Sequence, residues 1–164
     1  MSANISFIDG KAEAAFALKP AWWDVRNEYV LDEVPDSETM IKAAHLDWEV
    51  EMQPIYDNDG RLIPGHATSI RTDTGLHLGV MSDQYRPIQN ATAFSFLDNL
   101  LRDGVMRYEI AGALRGGRPV WALARMPSVA QIAEGDELNR QALWCTSHHS
   151  TCALSSTLLH IYLS

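Results

Sequence analysis

Cys145, His148, His149 and Cys152 form the pattern Cys-x2-His-His-x2-Cys, the closest approach in this chain to a metal-binding signature. Zinc takes thiolate and imidazole in a tetrahedron, and two-residue spacers are common between its ligands. On a strand, however, Cys145 and His149 face one way while His148 and Cys152 face the other. The four converge only if the chain turns at His149, and packed or exposed side chains are the simpler reading. Ser147, Ser150 and Cys145 also lie near histidines, but adjacency in sequence is not the geometry of a catalytic triad.

A second set, Asp83, Tyr85, Arg86, Gln89 and Asn90, falls where a strand is expected to give way to a helix. The structural reading uses Gln89 or Asn90 to cap the helix and Asp83 to bond turn amides. The functional reading uses the free N–H groups of the helix start for an anion, with Tyr85 and Arg86 stacking on and neutralising a nucleotide. A third set, Arg115-Gly116-Gly117-Arg118, reads as an exposed hairpin tip within reach of a phosphate. It lacks the longer glycine-rich spacing and the lysine of a phosphate loop.

The elements that must carry these residues follow from periodicity. Ala12–Leu18 reads as a short helical turn stopped by Pro20, and Tyr29–Leu31 as a short strand. Trp22 and Trp23 point to different sides of an extended chain. Asp36 or Ser37 caps a helix over about Ser37–His45, with Met40, Ile41 and Ala44 inward. From Asp47 to Tyr56, Trp48, Val50 and Met52 alternate with Glu49, Glu51 and Gln53, a half-buried strand. Asp57–Gly60 and Asp73–Gly75 are turns. They separate this strand from others at His66–Thr72 and Leu76–Met81, an antiparallel meander. A helix begins at Asn90, with Ala91, Phe94, Phe96, Leu97, Leu100 and Leu101 on its apolar side, and Asp103-Gly104 ends it. Tyr108–Leu114 and Pro119–Met126 form a hairpin, and a last strand runs near Ala142–His148. Trp48 and Trp121 are expected in the core.

Helix, three strands, helix, three strands is the order of two αβββ units. The expected fold is therefore α+β, an antiparallel sheet with helices packed on one face. Residues 1–35 read as an N-terminal extension, 36–155 as the domain, and 156–164 as a tail. Leu158–Leu163 is too apolar to dangle. It is expected to be buried against the sheet or in a homo-oligomer interface.

Of 164 residues, 46% are hydrophobic, ordinary for one globular domain. No apolar run approaches the roughly 18 residues that span a bilayer, and no signal peptide is legible, so no membrane partner is expected. Two cysteines make no disulfide framework, which fits a cytoplasmic location. The net charge of −8 is uneven. Residues 1–60 hold 13 Asp and Glu against 4 Lys and Arg, while residues 61–164 hold 8 acids against 9 arginines and no lysine. A solvated acidic surface explains the first part, and a carboxylate face for basic protein grooves is the sharper alternative.

Three segments, SETMIKAAHLDWEVEMQPIY, RTDTGLHLGVMSDQYRPIQNATAFSFLDNLL and YEIAGALRGGRPVWALARMP, resemble the phage/plasmid-like protein family, a domain of unknown function (DUF932). The resemblance covers roughly residues 20–155 and rests on Tyr85, Gln89-Asn90, Ala111–Leu114, Gly117 and Trp121. It implies mobile-element biology and an α+β fold, and no known activity. Family members carry Ser-His-Asp-Gly-Ser-like residues after the last strand. Here the run is Ser147-His148-His149-Ser150-Thr151, without the acid and the glycine, and the chain reads as a shortened form.

The functional expectation is a non-catalytic phage or plasmid protein of DNA metabolism, a recombination or replication accessory. Its partners would be DNA or a DNA-processing protein, met through Tyr85, Arg86, Gln89, Asn90, Arg115 and Arg118, with no cofactor. The alternatives are an acidic anti-defence inhibitor, of anti-CRISPR or anti-restriction type, and a metal-dependent hydrolase or nuclease. That enzyme would use zinc or another metal on Cys145, His148, His149 and Cys152, with Asp83.

Overall fold

The computed structural model describes residues 5–17, 30–31, 35–102, 106–126, 130–131, 137–148 and 155–163. The first helix, α1 (Ser37–Ala43), starts where Asp36 Oδ1 accepts the Thr39 amide at 2.8 Å. The Thr39 hydroxyl and amide hold the Asp36 carboxyl below the usual carboxylate range. The helix stops at His45, which takes a left-handed φ of 53°. There His45 N donates to Lys42 O and Leu46 N to Ile41 O, the paired bonds of a Schellman ending. His45 therefore ends the helix where sequence reading had placed its last residue.

Three strands follow, β5 (Val50–Tyr56), β6 (Leu62–Arg71) and β7 (His77–Ser82), in an antiparallel sheet of that order. The turn between β5 and β6 forms because Asp57 Oδ1 accepts from Asp59 N and Arg61 N, while Gly60 takes a φ of 77°. Residues Glu49, Glu51 and Gln53 are exposed and Trp48 and Val50 buried, as the alternation predicts.

The larger sheet is built on the hairpin β8 (Arg107–Ala113) and β9 (Pro119–Arg125). β11 (Glu137–Ser147) pairs antiparallel with β9, and the short β10 (Ala130–Gln131) pairs with the start of β11. The last strand, β12 (Ser155–Leu163), pairs with β11 on the side away from β9. The tail thus returns to the sheet through its backbone. The burial of its leucines lies outside the described residues, as do Trp22, Trp23 and Asp103-Gly104.

The N-terminal segment joins the same sheet. β1 (Phe7–Ile8) and β2 (Lys11–Ala12) form a small hairpin. β3 (Ala14–Ala17) pairs antiparallel with β8, and β4 (Val30–Leu31) runs parallel to β3. The helical turn expected at Ala12–Leu18 is thus strand over its described residues. Ala15 and Ala17 pack in the main core, while Ala14 and Phe16 pack in a smaller cluster. A strand covered on both faces loses the polar alternation that would have revealed it.

A bulge at Glu109 sets the facing of β8. Tyr108 pairs with Ala124 and Ile110 with Leu123, leaving Glu109 extra. Tyr108, Ala111 and Ala113 consequently share the main core, while Ile110 joins Phe16 in the smaller one. Over that core lies α2 (Asn90–Arg102), presenting Ala93, Phe94 and Leu97. Ala91 and Phe96, expected inward, are exposed. Phe94 meets Trp144 edge-on at 5.2 Å and stacks with Tyr108 at 6.0 Å. Asp98 of α2 accepts from Ser37 N and Oγ, tying α2 to the start of α1. The fold is α+β; α1, the three-strand meander, α2 and the β8–β9 hairpin come in the order the sequence predicts, but among the described residues four strands precede α1 and five follow α2. Among the described residues no helix is long and apolar enough to cross a membrane.

Candidate functional site: a basic turn over a buried arginine

Arg71, the last residue of β6, has a side chain only 1% exposed. An arginine is rarely sealed without partners, and this one has four. Nη2 reaches Glu13 Oε1 at 2.8 Å and Asp73 Oδ2 at 2.6 Å, and Nε donates to Asp73 Oδ1 at 3.0 Å. Nη1 donates to Gly116 O at 3.1 Å. The guanidinium lies 4.0 Å from the centre of the Trp48 ring, a cation–π contact. Burial alone would lower the Arg71 pKa, but the hydrogen bonds and charges of Asp73 and Glu13 outweigh it, and Arg71 stays protonated. Burial would likewise raise Asp73, but Arg71 holds that carboxyl below its ordinary value. Glu13, 2% exposed, keeps Oε2 without a hydrogen-bond partner among the described residues.

The network continues through the fold. Trp48 meets His148 edge-on at 5.4 Å. His148 Nε2 lies 2.9 Å from Asn90 Oδ1, and Asn90 Nδ2 donates to Leu46 O at 2.9 Å. Ser69 Oγ donates to His148 O at 2.8 Å, and His148 N donates to Arg118 O at 2.9 Å. Charge, aromatic faces and amides thus link the N-terminal segment, both sheets and α2.

Above this network sits the β8–β9 turn. Arg115, Gly116 and Gly117 take φ values of 53°, 76° and 96°. Arg115 holds a conformation costly for a side chain bearing a Cβ. Gly117 is required twice over, since a Cβ there would lie 2.7 Å from Trp48 and the φ strains any L residue. Gly116 N donates to Ser6 Oγ at 2.7 Å. The turn is therefore gripped by Ser6, Arg71, Trp48 and His148, while the side chains of Arg115 and Arg118 are exposed. Neither arginine has an ion-pair partner among the described residues.

The other candidates are placed as follows. Gln89 bonds both N and O of Val50 at 2.9 Å, and Asn90 is buried. Their side chains serve β5 and His148; neither takes the helix-capping role expected of it. Tyr85 is half-buried, and the exposed Arg86 folds over its own turn to the carbonyls of Asp83 and Tyr85. Asp83 is exposed at the same turn. Cys145 pairs across the sheet with Trp121, on the face of the smaller cluster, whereas His148 points to Trp48 in the main core. These two of the four metal-ligand candidates diverge, and His149 and Cys152 lie outside the described residues. Among the described residues no group of three or more His, Cys, Asp and Glu is arranged to hold a metal ion.

Arg71, Glu13 and Ser69 escaped the sequence reading. One signal was available, since Glu13 interrupts an alanine-rich apolar run and a lone acid there demands a buried cation.

The profile of a family described as Domain of unknown function (DUF932) matches residues 77–159, and the chain belongs to that family. The match takes in β7, α2, the β8–β9 turn and β11, while Arg71, Glu13 and Trp48 lie outside it. No curated protein and no solved structure matches the chain.

Proposed function

We propose that this protein is a non-catalytic accessory of phage or plasmid DNA metabolism, acting in recombination or replication, and that it contacts nucleic-acid phosphates through Arg115 and Arg118. The observation that carries this reading is the β8–β9 turn, whose two arginines stand exposed and without an ion-pair partner among the described residues, on a backbone fixed from below. An exposed guanidinium on a fixed backbone offers a phosphate its planar donor fork. The buried charges beneath it bind each other, which suits a support better than a catalyst. The mobile-element setting rests on the family resemblance.

An anti-defence inhibitor draws on the acidic first third, but three of those acids serve the fold. Glu13 pairs with Arg71, Asp36 caps α1 and Glu38 pairs with Lys42. The test of the main reading is fluorescence anisotropy with labelled single-stranded and duplex oligonucleotides at low salt. Binding to single strands through two phosphates gives a log–log salt slope of about −1.4. Arg115→Gln/Arg118→Gln should abolish most of the binding. Absence of a shift with either DNA overturns the proposal.

A further inference from the structure

The β8–β9 ribbon is the basic part of an acidic chain. Residues 107–125 hold Arg107, Arg115, Arg118 and Arg125 against Glu109 alone, a net of +3 within a chain of net −8. Arg125 and Glu109 pair with each other, while Arg107, Arg115 and Arg118 have no ion-pair partner among the described residues. Arg107 stands directly opposite Arg125 at the open end of the ribbon, and Arg115 and Arg118 lie at its turn. The ribbon thus presents a positive field to a polyanion.

Between those ends, on β9, stands Trp121. Alternation puts it with Leu123 and Arg125 on the face of the smaller cluster, away from α2 and the main core. Its cross-strand partner is Gly112, and a Cβ at Gly112 would lie 3.4 Å from Trp121 Cζ2. The indole therefore leans across the ribbon, over space that a side chain at 112 would narrow. It packs against the cluster of Ala14, Phe16 and Ile110 and is half-buried, so part of it meets solvent. Its Nε1 is buried without a hydrogen-bond partner among the described residues, a cost that phenylalanine would avoid. Packing alone thus does not call for tryptophan here, whereas a base stacked on the solvent side uses its wide π face. We infer that the protein selects single-stranded over duplex nucleic acid, with an unpaired base stacked on Trp121 while the backbone runs to Arg115 and Arg118. Arg118 is three residues from Trp121 along the chain, about 10 Å, a span that a few nucleotides cover. A duplex keeps its bases stacked on one another and must pay to turn one out. The inference rests on the phosphate-contact reading of the turn and adds the class of strand that the turn meets.

The test titrates a labelled single-stranded oligonucleotide, and the same sequence as a duplex, with wild type, Trp121→Phe and Trp121→Leu at low salt, after far-UV circular dichroism of each protein. Wild type should bind the single strand about tenfold more tightly than the duplex, and Trp121→Leu should lose about tenfold on the single strand and little on the duplex. Trp121→Phe keeps a ring and should retain most of the affinity. Tryptophan emission gives a second readout that does not need the leucine variant to fold. The unlabelled single strand should quench part of the wild-type emission, and less of that of Trp121→Phe. Failure of wild type to bind either DNA overturns the phosphate reading and this inference with it. Equal affinity for the two forms, or binding and quenching unchanged by both substitutions, overturns this inference and leaves the phosphate reading standing.

Discussion

Replacing Arg71 by methionine removes the cation that Glu13 was buried against. Glu13 is 2% exposed and has one oxygen without a hydrogen-bond partner among the described residues, so its carboxylate would be left buried without its cation. Breaking a buried pair in this way costs about 3–5 kcal/mol. The loss of the Trp48 cation–π contact, about 1 kcal/mol or more, falls within that total because methionine still covers the ring. Asp73 is half-exposed and rehydrates, adding little. We expect Arg71→Met to lose about 4 kcal/mol, which at this chain length lowers Tm by roughly 8–16 °C. The double variant Glu13→Gln/Arg71→Met leaves no buried charge unpaired and should recover about 2 kcal/mol, a coupling typical of residues in contact. Urea unfolding followed by tryptophan fluorescence measures both. An Arg71→Met protein within about 1 kcal/mol of wild type, or a double variant as unstable as the simple sum of its single changes, would refute the reasoning.

Gly117→Ala should destabilise by about 3 kcal/mol, because its Cβ meets Trp48 and its φ is strained, whereas Gly60→Ala, with open space around it, should lose only about 1 kcal/mol in the same unfolding assay. Tyr108→Phe removes the donor to Phe94 O at 3.2 Å and should cost about 1 kcal/mol, and spectrophotometric titration of the native protein should show this buried phenol ionising above the normal tyrosine range. The Asp73 carboxyl has a depressed pKa in the folded state, so its stabilising effect is present above the unfolded value of about 4 and fades as pH falls through the folded one. Asp73→Asn should therefore flatten the acid limb of the stability curve in that window, and an unchanged limb would remove Asp73 from the account.

The meander, α2, the β8–β9 hairpin and the cap at Asp36 were legible because each has local chemistry. Alternation marks β5, Gly116-Gly117 and Asp57–Gly60 mark turns, and a short acid before an apolar run marks α1. The strand at Ala14–Ala17 was not legible, since burial on both faces erases its period. The inward face of α2 was misplaced around Phe96, because aromatic content alone does not say which side of a helix meets the sheet. Of the site, the exposed arginines were visible as a motif. The support beneath them was not, because Glu13 and Arg71 lie 58 positions apart and only the β3–β8 pairing brings them together. Asn90 and His148 were each noticed separately, and their partnership required the packing of α2 over the end of β11.

Salt-dependent anisotropy of a labelled single-stranded oligonucleotide, titrated with the protein, tests the central claim most directly. The account predicts binding that weakens with salt at a slope of about −1.4 and is lost when Arg115→Gln and Arg118→Gln are added. Binding that survives both arginine substitutions with its slope unchanged would contradict it, as would no binding at low salt.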